Sequence, residues 1–195
     1  MPEVRTVIFL RHGEADKQTP DVFFGRTDTA LTENGRMAAA SAGNRLSRMR
    51  IDAVYTSPLA RCKQTARLLK LPTEIQVEEG FAEMNFGAWE GKSRAECRKD
   101  EAAWAAFTAP NGAPPEGESV MDFHKRVIEA YDRVLAATED KKVLLIVAHH
   151  SVICSIAAEA LGMGAAGAFH LRCAPVSLSS IDYVDGYATL SRWNA

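Results

Sequence analysis

Six consecutive apolar residues, Val143 to Ala148 (VLLIVA), and the run Val7 to Leu10 (VIFL) that closes the segment Val4 to Leu10, constrain this chain most. Neither run alternates apolar with polar, so a strand made from either buries both faces. Strands of that kind belong in the middle of a parallel sheet covered by helices. Ala53 to Thr56 (AVYT) reads the same way, and Glu74 to Glu78 reads as one more short strand.

Helical patterns separate these runs. One opens at Thr32, a capping residue, and carries Ala38, Ala39, Ala42, Leu46 and Met49 at helical spacing. Leu59 to Leu71 is a second. Ser119 to Thr138 is a third, with Ser119 and Asp122 in a capping-box arrangement and Val120, Phe123, Val127, Tyr131 and Val134 on one stripe. Toward the end, SLSSIDYV and YATLSRW alternate around Asp185-Gly186, a hairpin signal that adds an antiparallel pair to the sheet. The expected architecture is a three-layer α/β/α sandwich around a mixed, mostly parallel sheet.

A length of 195 residues suits one domain over residues 1–195, with a short Pro/Gly-containing insertion at about 91–118 lying over one edge. The 23 Lys and Arg against 25 Asp and Glu give a net charge of −2, which argues against a nucleic-acid partner and requires any anion to be captured locally. The apolar runs are too short to cross a bilayer and MPEVRTV lacks the features of a signal peptide, so a cytoplasmic location without a membrane partner is expected. Cys62, Cys97, Cys154 and Cys173 form no C-x-x-C pair and read as reduced, mostly buried thiols.

In open α/β sheets ligands bind beyond the carboxyl ends of the strands. After the first strand come Arg11, His12, Gly13 and Glu14; after the second, Ser57 to Arg61; after Ala148, His149, His150 and Ser151. Two arginines and at least two histidines thus converge on one face. A neutral imidazole can attack phosphorus, while guanidinium groups neutralise the non-bridging oxygens. The leaving alkoxide needs a proton. Glu83, in FAEMNFGAWEG after the Glu74 to Glu78 strand, is the candidate donor and the later base for water.

FLRHGE, SPLARCKQTA, EMNFGAWEG, PEGES and VAHHS, in this order, resemble the histidine phosphatase superfamily, in the branch of phosphoglycerate mutase-like and α-ribazole phosphatase-like enzymes. The resemblance spans nearly the whole chain. It implies a phosphoglycerate mutase-like fold, a phosphohistidine intermediate on His12, Glu83 as general acid and base, and Arg11, Arg61 and His149 around the phosphate. It implies no metal and no organic cofactor. Glu14 would support the site from behind, and Gly13 would allow close packing behind the nucleophile. Gln18 stands where the family commonly has a phosphate-contacting asparagine. The second histidine of the family is usually followed by two glycines and then an arginine; here His150, with its backbone N–H toward the phosphate, is followed by Ser151 and Cys154. Cys62 replaces the alanine that usually follows the second arginine.

The expected activity is hydrolysis of a small phosphorylated metabolite, a phosphomonoester such as α-ribazole phosphate. The alternative is a phosphoglycerate mutase-like isomerase, whose relatives follow the glutamate with arginine, histidine and tyrosine and carry a longer basic insertion. Met84, Asn85 and Phe86 stand there instead, and the insertion's Lys92, Arg94, Arg98 and Lys99 lie close to Glu96, Asp100 and Glu101. A non-catalytic phosphate-docking protein is a third reading. His149-His150 does not suggest metal ligation, since adjacent residues leaving a strand diverge. His124 and His170 read as ordinary residues. Gly162 to Gly167 (GMGAAG) matches a dinucleotide fingerprint but follows a helix, and is expected to be a helix end and loop. Trp104 and Phe107 read as the core of the insertion. Trp89 fits either that core or the substrate pocket, and Arg26 either a second anion or solvent. Oligomeric state carries no signal.

Overall fold

The computed structural model describes residues 4–16, 19, 21–109 and 111–195. Its strands are β1 (Arg5–Arg11), β2 (Ala53–Thr56), β3 (Ile75–Val77), β4 (Val143–Ala148), β5 (Leu178–Val184) and β6 (Tyr187–Arg192). Its helices are α1 (Glu33–Leu46), α2 (Ala60–Leu68), α3 (Arg94–Cys97), α4 (Glu101–Thr108), α5 (Val120–Ala137), α6 (His150–Ala160) and α7 (Gly164–Gly167). One sheet runs in the order β3-β2-β4-β1-β5-β6. The pairs β3-β2, β2-β4 and β4-β1 are parallel, while β1-β5 and β5-β6 are antiparallel. This is the mixed three-layer sandwich that the apolar runs and the hairpin require.

The two-sided burial follows from the pleat. Val7 and Phe9 of β1, with Leu144 and Ile146 of β4, pack under Phe123, Val127 and Val134 of α5 and Ile153 and Ile156 of α6. Ile8 and Leu10, with Leu145 and Val147, face the other way onto Ala42 and Leu46 of α1 and Cys62 and Ala66 of α2. Each buried aliphatic side chain of this kind contributes about 1.5–3 kcal/mol of transfer free energy.

The helix starts match their capping residues. Thr32 accepts the Gly35 N–H and Ser119 accepts that of Asp122. Asp185 and Gly186 both adopt positive φ, 49° and 83°, as a two-residue turn between right-twisted strands requires. Three details depart from expectation. Helix α1 ends at Leu46, and Ala38 and Met49 face solvent while Ala39, Ala42 and Leu46 supply its buried face. Strand β3 is only three residues long, Ile75–Val77, paired with Val54, Tyr55 and Thr56 of β2. The segment Gly162 to Gly167 is not a plain loop: its last four residues form α7.

Residues 91–118 hold α3 and α4 beside an aromatic cluster. Phe23 lies 4.8–6.4 Å, ring centre to ring centre, from Phe86, Trp89, Trp104 and Phe107. Trp89 is the buried indole, and Trp104 and Phe107 close over it from α4. Among the described residues no helix is long and apolar enough to cross a membrane.

Candidate active site

Strands β2, β4 and β1 are neighbours, so their carboxyl ends lie side by side. Arg11 pairs with Ala148 and Thr56 with Val147. The ladder extends one residue further through His12 N–H to Ala148 O at 3.0 Å and Ser57 N–H to Val147 O at 3.1 Å. The sheet itself therefore fixes where His12, Ser57 and His149 begin.

His12 is buried. Its Nδ1 lies 2.7 Å from the Gly13 carbonyl, which can only accept, so Nδ1 carries the hydrogen. Nε2 keeps its lone pair, and Arg61 Nε donates to it at 3.3 Å. Burial first, then Arg61 and Arg11, hold the His12 pKa well below the usual 6.5. The same order of causes, burial and then Arg61, lowers His149 well below 6.5. Both rings are neutral at neutral pH, and they meet edge to face with centres 5.1 Å apart.

Arg61, fully buried at the start of α2, donates Nη1 to Thr27 O at 2.8 Å and Nη2 to Gly25 O at 2.7 Å. Arg11 donates Nη1 to Cys173 O at 2.7 Å, while its buried Nε has no partner among the described residues. An unpaired buried guanidinium N–H is costly unless an anion supplies the acceptor. His149 caps α6, with Nε2 2.7 Å from Ser57 Oγ.

Glu83 is nearly buried and, among the described residues, its carboxylate is held by main chain. Oε1 accepts the Met84 N–H at 2.9 Å and Oε2 accepts the Ser151 N–H at 3.2 Å, in the first turn of α6 where backbone donors lack helical partners. The structure therefore brings His12, Arg11, Arg61 and His149 together, with Glu83 tied to the helix that His149 caps. His150 differs from them. Its backbone N–H belongs to the same helix start, but its imidazole turns to Cys154 and Cys173. Gln18 lies outside the described residues.

The flanking residues have defined partners. Glu14 Oε1 accepts from Thr32 Oγ1 at 2.9 Å, behind the pocket. A Cβ on Gly13 would sit 2.6 Å from Gly35 O, so no side chain fits there. Arg26 Nε donates to the Glu83 carbonyl at 2.9 Å, which fixes it beside the site. His124 is buried between Ser155 and Glu159.

Three participants escaped the sequence reading. Ser57 buttresses His149, and Thr65 Oγ1 accepts the Gly13 N–H at 3.1 Å. Glu90 accepts the N–H groups of Gly25, Arg26, Thr27 and Phe86, so it holds the loop whose carbonyls hold Arg61. Burial pushes the Glu90 carboxyl up, but the Thr27 hydroxyl and these N–H groups outweigh it and leave its pKa lowered. The only clue in the sequence was that WEG follows the Glu83 loop.

A family model described as histidine phosphatase superfamily (branch 1) matches residues 7–195. An adenosylcobalamin/α-ribazole phosphatase of Salmonella typhimurium is 34% identical over 193 residues, covering 95% of this chain and 94% of that protein. Among solved structures, the α-ribazole phosphatase of Shigella flexneri superposes with a TM-score of 0.90 at 28% identity, over 97% of this chain and 96% of that one. A mycobacterial glucosyl-3-phosphoglycerate phosphatase complexed with VO3 superposes with a TM-score of 0.84 at 26% identity, over 98% of this chain and 99% of that one.

Proposed function

Because the chain belongs to the histidine phosphatase superfamily, we propose that it hydrolyses a small-molecule phosphomonoester through a phosphohistidine on His12. One observation carries the reading: a buried, neutral imidazole leaves Nε2 unprotonated, its lone pair meeting only a guanidinium N–H at 3.3 Å, which an incoming phosphoryl oxygen can take over. Such a nitrogen is a nucleophile with its cationic clamp already in place.

In the first step Nε2 attacks phosphorus and the bond to the ester oxygen breaks. That oxygen takes a proton from the Glu83 carboxyl. In the second step Glu83, now a carboxylate, takes a proton from water as its oxygen attacks phosphorus; the N–P bond breaks and inorganic phosphate leaves. Arg11 and Arg61 neutralise the equatorial oxygens, with the unpaired Arg11 Nε available as a donor. Ser57 Oγ accepts the Leu59 N–H at 3.3 Å; giving its own proton to His149 Nε2 places the imidazole hydrogen on Nδ1, as a further phosphate donor. The His150 backbone N–H joins from the helix start, and Gln18 is the remaining candidate contact. These steps run on protein side chains and call for no metal ion or organic cofactor.

We read residues 1–195 as one domain in which residues 91–118 form a cap. The cap is stitched to the loop that holds Arg61: Phe23 N–H donates to Lys92 O and Gly91 N–H to Phe23 O, both at 2.9 Å. The substrate class we favour is the α-ribazole phosphate type, on the strength of the Salmonella relative's name. Water is the acceptor because Met84, Asn85 and Phe86 give no cationic grip on a second anionic group.

The test is phosphate release from α-ribazole 5′-phosphate, sugar phosphates and an aryl phosphate with a chelator present, beside His12→Ala. Turnover that survives the chelator and disappears in the variant is the expected result. Full activity in His12→Ala, or interconversion of phosphoglycerates with a bisphosphorylated primer and no net phosphate release, overturns the reading.

A further inference from the structure

His150 and Cys154 stand four residues apart on α6 and so share one face. Cys173, in the segment leading into β5, closes on them. His150 Nδ1 lies 3.6 Å from Cys173 Sγ and 3.5 Å from the Cys173 N–H, whose proton it accepts. Nε2 lies 3.9 Å from Cys154 Sγ. One donor atom from each residue falls within 4.8 Å of the other two. Both thiols are buried and free, and neither has a part in the phosphoryl chemistry.

We propose that the His150 imidazole, Cys154 and Cys173 form a binding site for a thiophilic divalent cation of the zinc type, beside the phosphate pocket and separate from the chemistry on His12. Tetrahedral zinc, with bonds of about 2.3 Å to sulfur and about 2.0–2.1 Å to nitrogen, spaces N and S by about 3.6 Å and two sulfurs by about 3.8 Å. The His150 to Cys173 pair is already at the first spacing. The remaining closure, from within 4.8 Å, is about 1 Å of movement at a sulfur, the scale of a small χ1 rotation. On binding, the Nδ1 lone pair would exchange its long 3.5 Å contact with the Cys173 N–H for the ion.

The donor set also chooses the ion. One imidazole and two sulfurs suit zinc, cadmium or cobalt and are poor ligands for magnesium or calcium. Two thiolates cancel the charge of a divalent ion, so the occupied site buries no net charge. The nearest outside charges offset one another: Arg11, held by the Cys173 carbonyl, and Glu83, held by Ser151. Three protein ligands leave a fourth position for water. On binding, each remaining S–H bond breaks as a sulfur–metal bond forms and the proton passes to buffer, with no change of oxidation state.

The rival pair is Cys62 and His149, 3.4 Å apart, which lacks a third ligand among the described residues. Titration of the untagged full chain with Co2+, under a non-chelating thiol-free reductant, tests the site. One equivalent should raise a thiolate-to-cobalt charge-transfer band with the visible bands of tetrahedral cobalt, and Zn2+ should abolish both. Cys154→Ser and Cys173→Ser should each weaken binding by roughly tenfold or more and remove about half the band. Cys97→Ser should leave it intact. Cys154→Ala and a thermal melt guard against a variant that has lost its fold. No band with the folded chain, or a band that persists in the Cys154→Ser/Cys173→Ser double variant and vanishes in Cys62→Ser, overturns the proposal. The readout is spectroscopic, so it stands or falls apart from any loss of phosphatase turnover.

Discussion

The proposed phosphate pocket and the segment 91–118 lie against one another yet are built on opposite plans. In the pocket, polar and charged groups are buried and three of them are held by main chain: Arg61 by the Gly25 and Thr27 carbonyls of a loop, His12 by Gly13, Glu83 by Met84 and the Ser151 N–H at a helix start. In residues 91–118, helix α4 has no fully buried residue, and the contacts are rings on rings and guanidinium groups over them, with Arg94 over Phe23 and Arg98 over Trp104. Main-chain anchors fix atoms to a few tenths of an ångström, whereas ring stacks tolerate sliding. Under the proposed function, the first plan suits a repeated reaction geometry and the second suits a cap that adjusts to its substrate.

Substitutions should expose that difference, and the largest effect belongs to His12. His12→Ala should lower kcat by roughly 10^4-fold or more and abolish the acid-labile phosphoenzyme in rapid-quench experiments. An undiminished burst would remove the nucleophile from the pocket. Arg61→Lys keeps the charge but not the fork that spans Gly25 O, Thr27 O and His12. It should cost on the order of 10^2–10^3 in kcat/KM, and a loss under tenfold would show that the fork is not needed. Ser57→Ala should reduce kcat about tenfold with KM little changed, since it frees the His149 ring without touching substrate. A change confined to KM would place Ser57 in ground-state binding.

Proton uptake gives an effect of similar size. His12 and His149 have folded pKa values held well below 6.5. Below about 6.5 the unfolded chain binds protons that the folded pocket refuses, so stability is full above that pH and is lost as pH falls. The slope approaches about 1.4 kcal/mol per pH unit for each histidine. Denaturant melts between pH 7.5 and 5 should show it, with a shallower fall in His12→Gln. The smallest effect belongs to the other region. Phe107→Ala should alter the ratio of kcat/KM between a bulky and a small monoester by a few-fold, roughly 1 kcal/mol, and a uniform loss on both would assign Phe107 to the pocket instead.

The same division explains what could be read from the residues alone. Strands β1, β2 and β4 announce themselves because burial on both faces leaves no room for alternation, and polar groups straight after them must sit at the sheet's edge. His12, Arg11, Arg61 and His149 were legible for that reason. Ser57 was visible at the end of β2 but its partner His149 was not, and Thr65 and Glu90 were not marked at all, since each is one polar residue whose partner is an amide far away in the chain. The acceptors of Arg61 are carbonyls, which every residue possesses and no sequence marks. The aromatic residues in and around 91–118 were visible but their order of burial was not: Trp89, just before that segment, is buried while Trp104 and Phe107 are only partly so, because Phe23, from a distant loop, packs on it.

Glu83 is gripped by two amide hydrogens, and amides come with any residue. Met84, Asn85 and Phe86 on one side and His150 and Ser151 on the other are thereby released from any duty to hold the carboxylate. Descendants of such a chain can rewrite those positions, try new substrates or new ions at them, and keep the proposed proton donor where it was. The acid is inherited with the backbone, and innovation is left to the side chains.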